Sequence, residues 1–153
     1  MPTIIRQQDL IDSVADALQF ISYYPPVDFI QAVHQAYERE QNKAAKDAMA
    51  QILINSRMCA MGHRPICQDT GIVTVFVTVG MDVQWDAQLS LTDMINEGVR
   101  RAYQNPDNVL RASILADPDG ARKNTGDNTP AIIHYNIVPG NTVDVHVAAK
   151  GGG

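Results

Sequence analysis

One stretch limits the folds open to this chain more than any other: Ile72-Val73-Thr74-Val75-Phe76-Val77-Thr78-Val79, closed by Gly80. β-Branched residues at almost every position predict a strand, and the scarcity of polar residues predicts burial on most of both faces. Two further β-rich runs, Ile132 to Val138 and Thr142 to Ala149, flank Pro139-Gly140-Asn141 and read as an antiparallel hairpin. Ahead of them, Ser90 with Asp93 three residues on is a helix-start signal. Met94, Ile95, Val99, Ala102 and Tyr103 continue that helix until Asn105-Pro106 breaks it.

Upstream the apolar spacing is helical. Leu10, Ile11, Val14, Leu18 and Ile21 define a first helix from about Gln7, which Pro25-Pro26 must stop or turn. A second carries Phe29, Ile30, Val33, Ala36 and Tyr37 on one face and ends near Gln41-Asn42. A third carries Ala45, Ala48, Met49, Ile52 and Leu53. The expected fold class is therefore α+β: a helical amino-terminal layer over residues 1 to about 60, then an α/β part over 61–153. In the latter a small mixed β-sheet carries the packed 91–104 helix. Strand order is not readable from the sequence.

At 153 residues the chain is long enough for one domain with a real core and too short for two comfortable ones. A net charge of −5, with no Lys/Arg run, argues against a nucleic-acid partner. No apolar run approaches a membrane-spanning length and the amino terminus has no signal-like core, so the chain reads as cytosolic, hence cytoplasmic. Lys150-Gly151-Gly152-Gly153 follows a predicted strand with no cap. Glycines there bring backbone close to a ligand or another segment, so the expectation is an amino-terminal domain cut from a longer two-domain chain.

The segment feeding the strand is Arg64-Pro65-Ile66-Cys67-Gln68-Asp69-Thr70-Gly71. Asp69-Thr70-Gly71 alone also matches the aspartic-protease triplet, whose chemistry needs two carboxylates sharing a proton. That motif is normally entered from an apolar strand, whereas Gly62-His63-Arg64-Pro65 stands here, and no later strand carries the apolar-apolar-Gly element. Cys67 taken alone reads as a small buried hydrophobe. Its neighbours instead make a tight polar loop that suits a nucleophilic or a metal-bound cysteine, and the absence of a His-Asn partner signature favours ligation. Cys59 and the scattered His34, His63, His134 and His146 form no metal pattern. The long loop over 107–130, containing Asn124-Thr125-Gly126-Asp127-Asn128, is of a length that usually carries function.

Four strings occur in the order found in class I fumarases: Arg64 to Gly71, Leu110-Arg111-Ala112-Ser113, Asn124 to Pro130, and Lys150 to Gly153. On these the chain resembles the amino-terminal part of the iron-sulfur fumarate hydratases and the related tartrate dehydratase alpha-type family, the longer single-chain members more than the two-subunit ones. The resemblance implies a [4Fe-4S] cluster held by three cysteines, leaving one iron free as a Lewis acid. Cys67 matches the first ligand, Cys59 matches none, and the other two would lie outside this chain. It also implies hydration of fumarate to malate, with tartrate or mesaconate as near substrates, and Asp69 as catalytic acid/base. Gln68, Arg111 and Gly153 would bind the small dicarboxylate substrate, with Thr70, Asn124, Thr125, Gly126 and Lys150 as site wall. The implied partners are the C-terminal domain of the same enzyme and a second copy in a homodimer. An isolated 153-residue piece would be a catalytically silent domain that binds its missing half.

Overall fold

The computed structural model describes residues 3–67 and 70–151. In chain order they form β1 (Ile4–Arg6), α1 (Gln7–Tyr23), α2 (Val27–Arg39), α3 (Lys43–Gly62), β2 (Ile72–Gly80), β3 (Gln84–Asp86), α4 (Leu91–Tyr103), β4 (Ile132–Val138) and β5 (Val143–Lys150). Helices with small mixed sheets make this an α+β protein, as expected. Its contacts divide it into two compact units, one of residues 1–19 and 68–153, the other of 20–67. Among the described residues no helix is long and apolar enough to cross a membrane.

In the larger unit, β2 is the central strand of the order β4-β2-β5, parallel to β4 and antiparallel to β5. The hairpin expected between the last two runs does not form. A parallel neighbour needs a crossover, and the segment containing α4 supplies it, so β4 docks on one side of β2 and β5 on the other. The 139–142 connection must therefore pass the end of β2. There the Gly80 N–H donates to the Thr142 carbonyl (2.8 Å) and the Asp82 N–H to the Gly140 carbonyl (2.9 Å). Gly80 allows that approach because a Cβ would collide with the Gly140 carbonyl and the Asn141 nitrogen. A separate parallel pair joins β1 to β3, strands of 3 residues each that are too short to announce themselves by periodicity.

Burial in β2 alternates, which corrects the expectation of two covered faces. Val73, Val75 and Val77 are buried, whereas Ile72 and Phe76 are exposed, with Phe76 stacked on His134 of β4 at 4.9 Å between ring centroids. Strand propensity reports a pleated chain and not how many faces are covered. The buried face shares its core with Leu10, Ile11, Val14 and Leu18 of α1 and Met94, Ile95, Val99, Ala102 and Tyr103 of α4. α1 and α4 approach closely at Gly98, where a Cβ would lie 2.7 Å from Val14 Cβ and 2.8 Å from the Ile11 carbonyl oxygen. A buried amide tie reinforces them: Gln19 Nε2 donates to the Ala102 carbonyl (2.6 Å) and Asn108 Nδ2 donates to Gln19 Oε1 (2.7 Å). α4 begins as expected, with Ser90 Oγ accepting from the Asp93 N–H (3.1 Å).

In the smaller unit, Asn42 caps α3 by accepting from the Ala44 and Ala45 N–H groups. α2 and α3 pack together across a short link, yet α2 buries no residue, and Val27, Phe29, Ile52, Ile54, Met58 and Met61 are exposed. α3 closes on His63 in the left-handed conformation (φ 47°), its ring stacked on Tyr23 at 4.6 Å.

Candidate functional site

The segment leading to Cys67 is held inside the smaller unit. Asn55 Nδ2 donates to the Ile66 carbonyl (3.1 Å), the Ile66 N–H donates to the Ser22 carbonyl (2.9 Å), and the Arg64 N–H to the Cys59 carbonyl (3.1 Å). Cys59 is buried with its Sγ 3.6 Å from both Asn55 Oδ1 and the Pro65 carbonyl, so its thiol is a packing and hydrogen-bonding group. Cys67 is exposed and free. Gln68, Asp69 and Gly153 lie outside the described residues.

On the other side of the motif, in the larger unit, the backbone at Thr70 and Gly71 is a point of convergence. Thr70 Oγ1 donates to the Arg111 carbonyl (2.6 Å), Tyr103 Oη donates to the Thr70 carbonyl (2.8 Å), and Asn128 Nδ2 donates to the Gly71 carbonyl (3.0 Å). Asn128 Oδ1 in turn accepts from the Ser113 N–H (2.7 Å). Gly71 itself has φ +80°, and a Cβ there would sit 2.7–2.8 Å from the backbone N, C and O of Lys150. Thus Thr70, Arg111 and Lys150, distant in sequence, meet around one glycine. Lys150 is the β5 partner of Ile72, and its Nζ donates to the Gly151 carbonyl (2.9 Å).

Asn124 and Thr125, which with Gly126 were expected to form a site wall, run alongside the segment after Arg111. Asn124 Nδ2 donates to the Ala112 carbonyl (2.8 Å), the Thr125 N–H donates to the Ile114 carbonyl (2.9 Å), and an antiparallel bridge joins Leu115 to Asn124. Gly126 has φ +80° with open space where a side chain would be. Asn128 and Tyr103 were not singled out from sequence. The signal available for Asn128 was its place at the end of a turn-rich string, and Tyr103 read only as core.

Three arginines lie within reach in sequence, and their surroundings differ. Arg100 pairs with Asp127 (2.9 Å) and Glu97 (2.6 Å), and Arg101 pairs with Glu97 (3.0 Å) and Asp12 (3.2 Å). The Arg111 side chain is exposed and has no hydrogen bond or ion pair among the described residues, leaving its guanidinium fork available to a carboxylate. Arg101 hydrogen bonding, with Arg100 beside it, holds the Glu97 carboxyl below its ordinary range against the opposing effect of burial. Burial pushes Asp127 up, but hydrogen bonds from Thr129 and Arg100 outweigh it and leave Asp127 depressed too. Because both carboxyls are lowered on folding, their contribution to stability is complete above the carboxylate range and is lost as pH falls through it. We expect the thermal midpoint to fall on acidification below about pH 5, and Arg100→Ala to flatten that slope. An unchanged slope in the variant would remove the network from the acid response.

Among the described residues no group of three or more His, Cys, Asp or Glu side chains could hold a metal ion. An exposed free thiol at Cys67, with Cys59 buried and hydrogen-bonded to other groups, fits a chain that contributes a single sulfur to a metal group completed elsewhere.

A family model described as fumarate hydratase (fumerase) matches residues 11–153. A protein of Methanocaldococcus jannaschii described as a putative L(+)-tartrate dehydratase subunit alpha is 26% identical over 145 residues, covering 93% of this chain and 50% of that protein. The L(+)-tartrate dehydratase subunit alpha of Escherichia coli strain UTI89 is 28% identical over 145 residues, covering 94% and 47%. That of strain K12 is 27% identical over the same length and shares. The chain spans about half the length of the curated relatives it matches.

Proposed function

The chain belongs to the fumarate hydratase (fumerase) family, and from that premise we propose that it forms one wall of a hydro-lyase site acting on a C4 dicarboxylate, fumarate first. The observation that carries this is Arg111, whose guanidinium has no hydrogen bond or ion pair among the described residues and whose backbone carbonyl is held by Thr70, the residue that follows Asp69. A dianionic substrate needs fixed donors for its carboxylates. Arg111 supplies a bidentate fork, Gln68 an amide and the Gly153 backbone an N–H, with Lys150 adding positive charge nearby. Asp69 moves the proton: water adds across the double bond with hydroxyl at one carbon and hydrogen at its neighbour, and the reverse step removes both. Thr70, Asn124, Thr125 and Gly126 shape the wall.

Cys67 would hold one corner of a [4Fe-4S] cluster, the remaining ligands coming from the other half of the enzyme. When bound, the cluster supplies Lewis acidity toward the hydroxyl that enters or leaves. On this reading the working enzyme is a cytoplasmic homodimer, and residues 1–153 alone neither retain a cluster nor turn over substrate. The curated names favour one second reading, dehydration of L(+)-tartrate by an alpha-type subunit with a separate partner.

The test is anaerobic reconstitution of the complete enzyme with iron and sulfide, followed by loss of fumarate absorbance and, in parallel, oxaloacetate formed from tartrate. We expect fumarate turnover to exceed tartrate turnover by about 10-fold or more in kcat/KM, the scale of a single well-placed pocket contact. An intact cluster with no loss of fumarate rejects the fumarate assignment, and tartrate turnover in its place selects the second reading.

A further inference from the structure

We propose that Asn128 is a positioning residue that holds the Arg111 segment against the backbone at Thr70–Gly71 and thereby sets affinity for the substrate carboxylate. The inference rests on the reading of Arg111 as a carboxylate binder. Asn128 is 0% exposed and adopts the left-handed conformation at φ 62°, which Asn tolerates better than most residues. Both ends of its amide are committed: Nδ2 donates to the Gly71 carbonyl at 3.0 Å, and Oδ1 accepts from the Ser113 N–H at 2.7 Å. One buried side chain therefore bridges the backbone that continues from Thr70 to the backbone that continues from Arg111.

The bridge is specific to this amide. Aspartate would place an acceptor against the Gly71 carbonyl, leucine would satisfy neither backbone group, and at full burial water could not replace the missing partner. Thr70 adds a second tie, to the Arg111 carbonyl at 2.6 Å, and Tyr103 Oη fixes Thr70 from the core side at 2.8 Å. Arg111's own side chain is left exposed. A guanidinium binds a carboxylate bidentately only when its plane is aligned, so a rigidly held backbone reduces the ordering that binding must impose on a long side chain. Loss of the bridge therefore weakens ground-state and transition-state binding alike, which raises KM more than it lowers kcat.

The experiment is steady-state kinetics on the complete cluster-loaded enzyme with fumarate, or with tartrate should that be the dicarboxylate consumed. Asn128→Gly keeps the left-handed backbone and deletes the amide. It should raise KM by about 10-fold with kcat within about 3-fold, and the KM effect should shrink below about 2-fold in an Arg111→Ala background, the signature of coupled sites. Tyr103→Phe retains the buried ring and loses only the hydroxyl, and should raise KM by about 3-fold in the same direction. It decides the matter if Asn128→Gly does not fold. A purely structural role would lower the thermal midpoint and the active fraction with KM unchanged, and that result overturns the proposal, as does additivity with Arg111→Ala. If Arg111→Ala leaves KM unchanged, the carboxylate reading of Arg111 falls and takes this inference with it. A KM rise in Arg111→Ala but in neither Asn128→Gly nor Tyr103→Phe overturns the positioning role alone.

Discussion

Cys67→Ser in the complete enzyme should abolish the cluster's absorbance and lower hydro-lyase activity by at least about 100-fold, whereas Cys59→Ser should leave both within a few-fold. The two thiols lie 8 residues apart in one chain, so the contrast comes from their surroundings. Cys59 is 7% exposed, with its sulfur 3.6 Å from Asn55 Oδ1 and the Pro65 carbonyl. A serine hydroxyl can donate to either of the same two acceptors, so the change exchanges one small buried donor for another. Cys67 is exposed, and a thiolate there can face a group supplied from outside the chain. Serine at 67 offers a hard, weakly acidic oxygen where a soft thiolate is needed. Iron content and absorbance of the purified variants, measured anaerobically, give the answer. Equal loss from both substitutions would assign the ligand role to the wrong thiol.

The second large effect is expected at Gly71. Gly71→Val should destabilise the larger unit by about 3 kcal/mol or more, combining a branched residue at positive φ with a steric collision. The collision is with backbone: the new Cβ would lie 2.7–2.8 Å from Lys150 N, C and O, atoms that cannot rotate away as a side chain could. Relief requires β5 to retreat from β2 at the Ile72–Lys150 pair, where their ladder begins. The Gly71 carbonyl also accepts from Asn128, so the same shift loosens the Arg111 segment. Differential scanning calorimetry should show a midpoint lowered by roughly 6–12 °C. A change of under about 2 °C would mean the β2–β5 contact at this point is slack. Gly126→Ala is the control: it shares φ +80° but meets no atom within 4 Å, so it isolates the conformational cost of about 1 kcal/mol.

Much of the fold was legible because it is local. α4 runs Leu91–Tyr103 behind a Ser90 cap, as its capping residues and 3.6-residue spacing predict, and β2 starts at Ile72 where the β-branched run begins. Strand pairing was not legible. The runs ending at Val138 and beginning at Val143 are joined by a short turn-rich link, the usual mark of a hairpin, yet both pair with β2. A hairpin and a flanking arrangement present the same alternation to a reader of the sequence. They differ only in where the third strand lies, and the close passage at Gly80 is what permits the observed one. The open face of β2 was missed for a related reason: Phe76 and Val77 have similar strand propensity, and only their neighbours in space decide which is covered.

The candidate site divides along the same line. By itself the sequence determined the chemistry on offer: a cysteine, an amide, a carboxylate and a threonine in one short loop, an arginine in a second string, and glycines in two more. It also determined the helices and strands that carry them, since capping, periodicity and β-branching act over a few residues. The tertiary structure alone decided that Thr70 and Arg111, 41 positions apart, are bonded, that Asn128 clamps their two segments, and that the Arg111 side chain has no partner among the described residues while Arg100 and Arg101 are paired with carboxylates. The physical reason is that burial, hydrogen bonding and charge pairing depend on neighbours in space. Those neighbours are fixed only when β2 takes its place between β4 and β5.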